Sequence, residues 1–272
     1  MKKHLPTGSL LYGIHPVHEA LVAGRRRFKA LYVSKSRTSK RIEPILERAR
    51  GRGIPVHVRE ADYFKTRLGD AVHQGVFAQV GGLPLVDHYG VLKRAGERGE
   101  PPLILALDNV VDPQNLGSLV RTALAMGVHG IVFPKARAAP LSPAVSKASA
   151  GAMEHMLFTR VTNLVAALKG FKKTGLWVVG AHPASKTTVD EADFNVGLVV
   201  VIGGEGKGIR PLVQKTCDYL VSIPQKRDVD SLNAAVAGAI VMYEIARQRT
   251  ESTQISVVSQ SAGDEAPSNK DG

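Results

Sequence analysis

Two apolar periods take turns along the first third of the chain. A period near 3.6 from His15 to Ala23 predicts a short helix ending near Gly24, and alternation from Lys29 to Ser34, with Leu31 and Val33 apolar, predicts a strand. Ser39 has the side chain to cap a helix through Arg50 that Gly51 and Gly53 would stop. Ile54 to Val58 then reads as a strand, Ala61 to Leu68 as a helix and Val76 to Val80 as a strand, while the residues before His15 read as a frayed start. This is a small α/β unit, residues 1–82. In the linker that follows, residues 83–101, Gly81-Gly82-Leu83-Pro84 and the charged stretch Lys93 to Pro102 leave room for one short helix.

Leu103 to Leu107 is almost wholly apolar, the pattern of a strand buried on both faces. Elements alternate from there: helix Leu116 to Met126, strand Gly130 to Phe133, helix Pro143 to Met153, strand Leu157 to Val161 and helix Leu164 to Phe171. Strands Leu176 to Gly180 and Leu198 to Gly203, a helix near Pro211, strand Tyr219 to Ile223 and helix Ser231 to Arg247 complete the series. Such alternation predicts an α/β domain over residues 102–249, with a mainly parallel sheet covered by helices on both faces. From Thr250 onward Ser, Gln, Asp, Gly and Pro dominate without a period, so residues 250–272 are predicted to form a disordered tail.

Charge changes the picture of the first unit. Residues 1–82 hold 16 Lys and Arg against 6 Asp and Glu, net +10, whereas residues 83–272 hold 20 against 18, net +2. A polyanion such as RNA or DNA is the partner such a domain attracts, through release of condensed counterions; the plainer alternative is a solvated basic surface. Arg25, Arg26, Arg27 and Lys29 are the candidate RNA contacts. The single cysteine, Cys217, excludes an internal disulfide and reads as a core residue in a reducing compartment. No apolar run approaches the roughly 18 residues of a membrane span, and Met1-Lys2-Lys3-His4 is not followed by a signal-peptide pattern, so a soluble cytoplasmic protein is expected.

Candidate chemistry gathers at three strand-to-loop junctions, where ligands collect in open α/β sheets. The first runs from Asp108 to Gly117 and contains Asn115, with Arg121 in the helix that follows. Asn115 reads either as a helix cap or as a site residue, and Arg121 as a solvated or a functional arginine. The second, Gly203-Gly204-Glu205-Gly206-Lys207-Gly208 and on to Pro211, brings backbone close to a ligand but matches neither dinucleotide nor Walker spacing. The third runs from Ser222-Ile223-Pro224 to Ser231-Leu232-Asn233-Ala234, with Ser231 as a plausible cap and Asn233 as either a satisfied amide or a ligand contact. None of them clusters His, Asp and Glu at metal-ligand spacing, so no metal is expected.

In series, these junctions resemble the three motifs of the SpoU (TrmH-like) family of SPOUT methyltransferases. Tyr12-Gly13-Ile14-His15-Pro16 and His73-Gln74-Gly75-Val76 are similar to the RNA-binding domain of the subgroup that methylates a guanosine ribose in 23S ribosomal RNA. The resemblance implies an α/β-knot catalytic domain that binds S-adenosyl-L-methionine in a pocket of backbone around Gly203, Ile223 and Leu232, with Gly204 and Ala234 adjoining it. It gives Arg121 the central role of binding phosphate and either acting as the base that activates the ribose hydroxyl or leaving that proton to a solvent or phosphate-assisted route. Asn115, Glu205, Ser231 and Asn233 would orient Arg121, cofactor and ribose, or Glu205 would instead fix the glycine loop through backbone N–H groups. It also implies a homodimer built through the Ser231 to Arg247 helix. Gln225-Lys226-Arg227 and Ala235 depart from the family pattern of Met and Gly after Ile-Pro and Ser two residues after Asn. A transfer RNA ribose methyltransferase and a non-catalytic RNA-binding protein are the competing readings.

Overall fold

The structure, a computed structural model, describes residues 9–36, 40–206, 208–227 and 231–263; Ser39 lies outside them. In the first unit β1 (Ser9–Tyr12), α1 (Ile14–Ala23), β2 (Phe28–Ser34), α2 (Glu43–Gly51), β3 (Val56–Arg59), α3 (Ala61–Leu68) and β4 (Val76–Val80) follow in order. The strands lie β1-β4-β2-β3, antiparallel except for the β2/β3 pair. Because side chains alternate across a strand, Leu11, Leu31, Val33, Val76, Ala78 and Val80 share one face, where they pack with Val17 and Leu21 of α1 and Ile45 of α2. The stretch expected to be frayed holds β1, whose pairing partner β4 lies beyond any local pattern: Leu11 sits opposite Ala78.

The second unit comprises α4 (His88–Arg98), β5 (Leu103–Asp108), α5 (Pro113–Ala125), β6 (Gly130–Pro134), α6 (Pro143–Ala148), β7 (Phe158–Val161), α7 (Leu164–Lys173), β8 (Trp177–Ala181), β9 (Leu198–Gly203), α8 (Pro211–Gln214), β10 (Tyr219–Val221) and α9 (Ala234–Gly263). Its six strands are parallel, in the order β10-β8-β9-β5-β6-β7. Leu103, Leu105 and Leu107 of β5 enter one core while Ile104 and Ala106 enter the other, which is why this strand reads as an unbroken apolar run. Cys217 packs against the second core, and burial pushes its thiol up to about 11, so it stays a protonated, unreactive thiol at neutral pH.

The linker holds the one short helix for which it has room, while the tail differs from expectation. In the linker, α4 starts on Asp87, whose carboxylate accepts from the Gly90 N–H, and ends at Gly99 in the left-handed region; its Val91 is buried in the second core. At the other end, α9 continues to Gly263 rather than giving way at Thr250. Arg247 pairs with Glu244 and Glu251 along the helix, the Gln248 amide bonds Ala192 O and Phe194 N, and Arg249 bonds Phe194 O, Pro101 O and Val196 O. A loop of the catalytic unit thus holds the helix where it reaches Thr250, and Ser252 Oγ donates to Asn195 Oδ1 of the same loop just beyond, contacts that composition alone cannot register.

The two units meet across a buried charged junction. Arg26, 4% exposed in its side chain, forms an ion pair at 2.5 Å with Glu154, 1% exposed, and Ser146 Oγ donates to the same carboxylate. Arg25 donates to the Glu154, Met156 and Pro84 carbonyls, and the Glu19 carboxylate meets His155 Nε2 at 2.8 Å. Arg25 and Arg26 are therefore spent on holding the units together and are not on a free basic surface, as the charge count had suggested. Arg27 and Lys29 remain exposed.

Removing one member of a buried pair leaves the other charge uncompensated, at a cost of about 3–5 kcal/mol. Glu154→Ala should therefore lower urea stability by roughly that amount. The Arg26→Ala/Glu154→Ala double variant should lose clearly less than the sum of the two single variants; strict additivity would show that the pair is not coupled.

Candidate functional site

Parallel register aligns the carboxyl ends of β5 and β9, with Asp108 opposite Gly203. Both strand ends then turn sharply. The Gly204 N–H donates to the Asp108 carbonyl at 2.8 Å, and a Cβ on Gly204 would collide with the Asn109 carbonyl. One on Gly203 would strike the Gly208 and Ile209 backbone, so the glycine loop folds back on itself as closely as backbone allows. The fully buried Asp108 carboxylate holds the far end of the loop: it accepts from the Arg210 backbone N–H at 2.8 Å and from its guanidinium Nε at 2.7 Å. One residue thus fastens both ends of the Gly204–Arg210 segment.

The three junctions meet in a closed set of side-chain hydrogen bonds. Asn115 Nδ2 donates to Glu205 Oε1 at 2.8 Å, Asn233 Nδ2 donates to the same oxygen at 2.5 Å, and Asn233 Nδ2 also reaches Asn115 Oδ1 at 3.0 Å. Chemistry fixes the orientation of Asn233. Its Oδ1 accepts from the Ala235 and Val236 N–H groups at the start of α9, which leaves the amide nitrogen to face the acceptor-only carboxylate. Asn233, not Ser231, therefore caps α9, and Asp112 rather than Asn115 caps α5, its carboxylate accepting from the Asn115 N–H at 3.0 Å. The side chain of Asn115 is thereby released for the site. Glu205 contacts the two amides and, among the described residues, no backbone N–H.

Beside this triangle lies a cavity of about 580 Å³, in the range of small-ligand sites. Gly203, Gly204, Ile223, Leu232 and Ala234 all line it, as do Glu205 and Ser231. Ala181, His182 and Pro183 at the end of β8 complete the wall; the local sequence there carries no motif, and only the parallel placement of β8 beside β9 brings them in. Apolar Ile202, Val221, Leu232 and Ala237 suit a flat adenine ring, and the glycine backbone leaves room that side chains would fill. These features fit an adenosyl cofactor. Of the departures from the family pattern, Gln225 lines the cavity while Ala235 contributes its backbone N–H to Asn233, a contact independent of its side chain.

Arg121 stands apart from the triangle. It is exposed on α5, whose Leu116, Leu119, Val120 and Ala123 face the core, and it has no side-chain hydrogen bond or ion pair among the described residues. An unpaired guanidinium within two helical turns of Asn115 is free to take an anion.

Since Gly204 has no room for a Cβ, Gly204→Ala should weaken S-adenosylmethionine binding by more than about tenfold in calorimetry, with the far-ultraviolet dichroism unchanged. Wild-type affinity in this variant would remove the glycine loop from the binding site.

Comparison with known proteins agrees with this geometry. Residues 102–243 match the SpoU rRNA Methylase family and residues 10–85 the RNA 2′-O ribose methyltransferase substrate binding family. YacO of Bacillus subtilis, whose name leaves its substrate as tRNA or rRNA, is 40% identical over 87% of this chain and 94% of its own. The 23S rRNA (guanosine-2′-O-)-methyltransferase RlmB of Coxiella burnetii is 38% identical over 88% of this chain and 95% of its own. Among solved structures, the SpoU methyltransferase AviRb of Streptomyces viridochromogenes, crystallised with AdoMet, superposes with a TM-score of 0.75 at 26% identity, covering 89% of this chain and 90% of that one. With its glycine cradle and its Asn115–Glu205–Asn233 triangle in place, the chain belongs to the SpoU rRNA methylase family and is an S-adenosylmethionine-dependent RNA 2′-O-methyltransferase.

Proposed function

We propose that the protein methylates the 2′-hydroxyl of a guanosine in 23S ribosomal RNA, working in the cytoplasm as a homodimer, with Arg121 as the residue that holds the target nucleotide. The observation that carries this reading is the Asn115–Glu205–Asn233 triangle, which ties the helix bearing Arg121 to the wall of the cofactor cavity. The name of the Coxiella burnetii relative, together with the substrate-binding unit matched by residues 10–85, supports the choice of RNA and nucleotide.

When bound, the cofactor supplies an electrophilic methyl group on a sulfonium. The chain's own task is positioning. Gly203, Gly204, Ile223, Leu232 and Ala234 hold the adenosyl portion, and Ser231 at the rim of the cavity orients the ribose. Glu205 keeps Asn115 and Asn233 in register, and Arg121 grips the adjoining phosphate through its planar fork. A guanidinium stays protonated, so the hydroxyl proton leaves to a phosphate oxygen or to solvent. The trefoil knot that the family resemblance implies belongs to this reading too; Ile223 and Leu232 lie against the same cavity as the glycine loop.

The dimer would form through α9, where Val236 and Tyr243 are 48% and 60% exposed and, seven residues apart, share one helix face. Arg27 and Lys29 remain as RNA contacts on the first unit. Residues 1–82 and 102–249 are the two functional domains in this reading.

Arg121→Ala should lower the single-turnover methylation rate by about a hundredfold or more while leaving folding and cofactor affinity near wild type, and Arg121→Lys should restore little. A folded Arg121→Ala protein that methylates at the wild-type rate would move the role to Glu205 or Ser231. In sedimentation, Val236→Asp/Tyr243→Asp should shift the protein from dimer to monomer and lower activity with it; an active wild-type monomer would contradict the assembly.

A further inference from the structure

With Arg25 and Arg26 drawn into the domain junction, Arg27 and Lys29 are the only exposed members of that basic run, and more of the first unit's grip on RNA has to come from elsewhere. Its sheet has one face on α1 and α2; on the other, four aromatic residues fall in a single row. Register places Tyr12 opposite Phe77, Phe77 opposite Tyr32 and Tyr32 opposite His57, so one ring comes from each strand in the order β1, β4, β2, β3. The Tyr32 and Phe77 rings stack at 4.5 Å and 9°, and Tyr32 lies 5.2 Å from His57. Tyr63 of α3 joins the stack at 5.6 Å from Tyr32, with the guanidinium carbons of Arg59 and Arg67 at 5.7 and 5.1 Å from its ring centre.

Packing alone accounts for Phe77, which is buried against Phe64. It does not account for Tyr12, Tyr32, His57 and Tyr63, all half-buried, or for two exposed guanidiniums that have no carboxylate partner among the described residues. The Tyr63 ring face attracts both guanidiniums, but it does not neutralise them, so two like charges held near one ring leave a favourable place for an anion. Planar rings with unneutralised arginines at one end are what unpaired nucleotides need: π-faces for bases, cations for phosphates. The far end of the row also leads toward the catalytic unit. Tyr12 adjoins Gly13, and beside Gly13 lies Lys147 of α6, bonded to Gln74 Oε1 at 2.9 Å; α6 packs on α5, which carries Arg121.

We propose that the half-buried rings Tyr12, Tyr32 and His57, backed by the buried Phe77 and crowned by Tyr63, Arg59 and Arg67, form the surface on which an unpaired stretch of the substrate RNA stacks as it runs toward the active site. This rests on the reading of the protein as an RNA methyltransferase. Bases lie against the rings and the guanidinium planes, and backbone phosphates lie against Arg59 and Arg67.

The test uses the full chain with a labelled single-stranded oligoribonucleotide of mixed sequence and a duplex of the same length. Arg59→Ala/Arg67→Ala should raise the single-strand Kd about tenfold or more and reduce the salt slope by about 1.4, from roughly 0.7 per phosphate contact. Arg59→Lys/Arg67→Lys should keep the salt slope yet lose most of the preference for single strand over duplex, because a lysine cannot stack. Tyr63→Phe should bind as wild type and Tyr63→Leu about tenfold more weakly. S-adenosylmethionine affinity and the thermal midpoint, followed in every variant, separate lost contacts from lost folding. Unchanged RNA affinity and slope in folded Arg59→Ala/Arg67→Ala would overturn the proposal, as would equal weakening toward both probes in the lysine variant. Wild-type protein that binds cofactor but methylates no RNA would instead overturn the functional reading on which it rests.

Discussion

Glu205 accepts from Asn115 on the α5 side and from Asn233 at the start of α9, and it stands in the loop that closes the cofactor cavity. A carboxylate that gathers two amides from distant segments is a charge-assisted junction, stronger and more directional than a pair of neutral contacts. Everything specific to the site hangs from it. The glycine loop cannot drift without pulling on both helices, and α9 cannot shift without uncapping itself, since the Asn233 side chain that donates to Glu205 also receives the Ala235 N–H. Asp108 completes the constraint from within the sheet by fastening Gly204 and Arg210, so the loop is fixed at its ends and in its middle. Such rigidity is what a reaction that depends on in-line alignment requires.

Charge in the first unit does two different jobs. Arg26 and Glu154 are buried together and set how the units meet, whereas Arg59 at the end of β3 and Arg67 on α3 stand unneutralised over the Tyr63 ring. Net charge adds these contributions as if they were equal; geometry separates an internal fastening from a surface that attracts a polyanion.

The parallel sheet and the three junctions were legible because their signals are local. Leu103 to Leu107 reads as a strand covered on both sides, and the glycines after Ile202 read as a close approach of backbone or a sharp turn; the loop is both, with no room for a Cβ at Gly203 and Gly204 and positive φ at Gly206 and Gly208. What was not legible depended on partners far along the chain. Arg26 finds Glu154 across 128 positions, so no window of sequence distinguishes it from Arg27 next to it. The caps show the same limit at short range. Ser231 and Asn115 have capping side chains, yet Asp112 and Asn233 occupy the cap positions, and the choice between neighbours is settled by where each chain segment enters its helix. Asn115 and Asn233 were both singled out; that they share one carboxylate, and that β8 contributes His182 and Pro183 to the cavity, required the assembled sheet.

The central claim is that this geometry serves methyl transfer to a ribose hydroxyl, and the chemical identity of the product tests it most directly. The protein would be given S-adenosylmethionine labelled in its methyl group and unmodified 23S ribosomal RNA, and the RNA would then be digested to nucleosides and separated by chromatography and mass spectrometry. Label recovered in 2′-O-methylguanosine is the expected result. Label in a base-methylated nucleoside, or none in RNA despite bound cofactor, would contradict it.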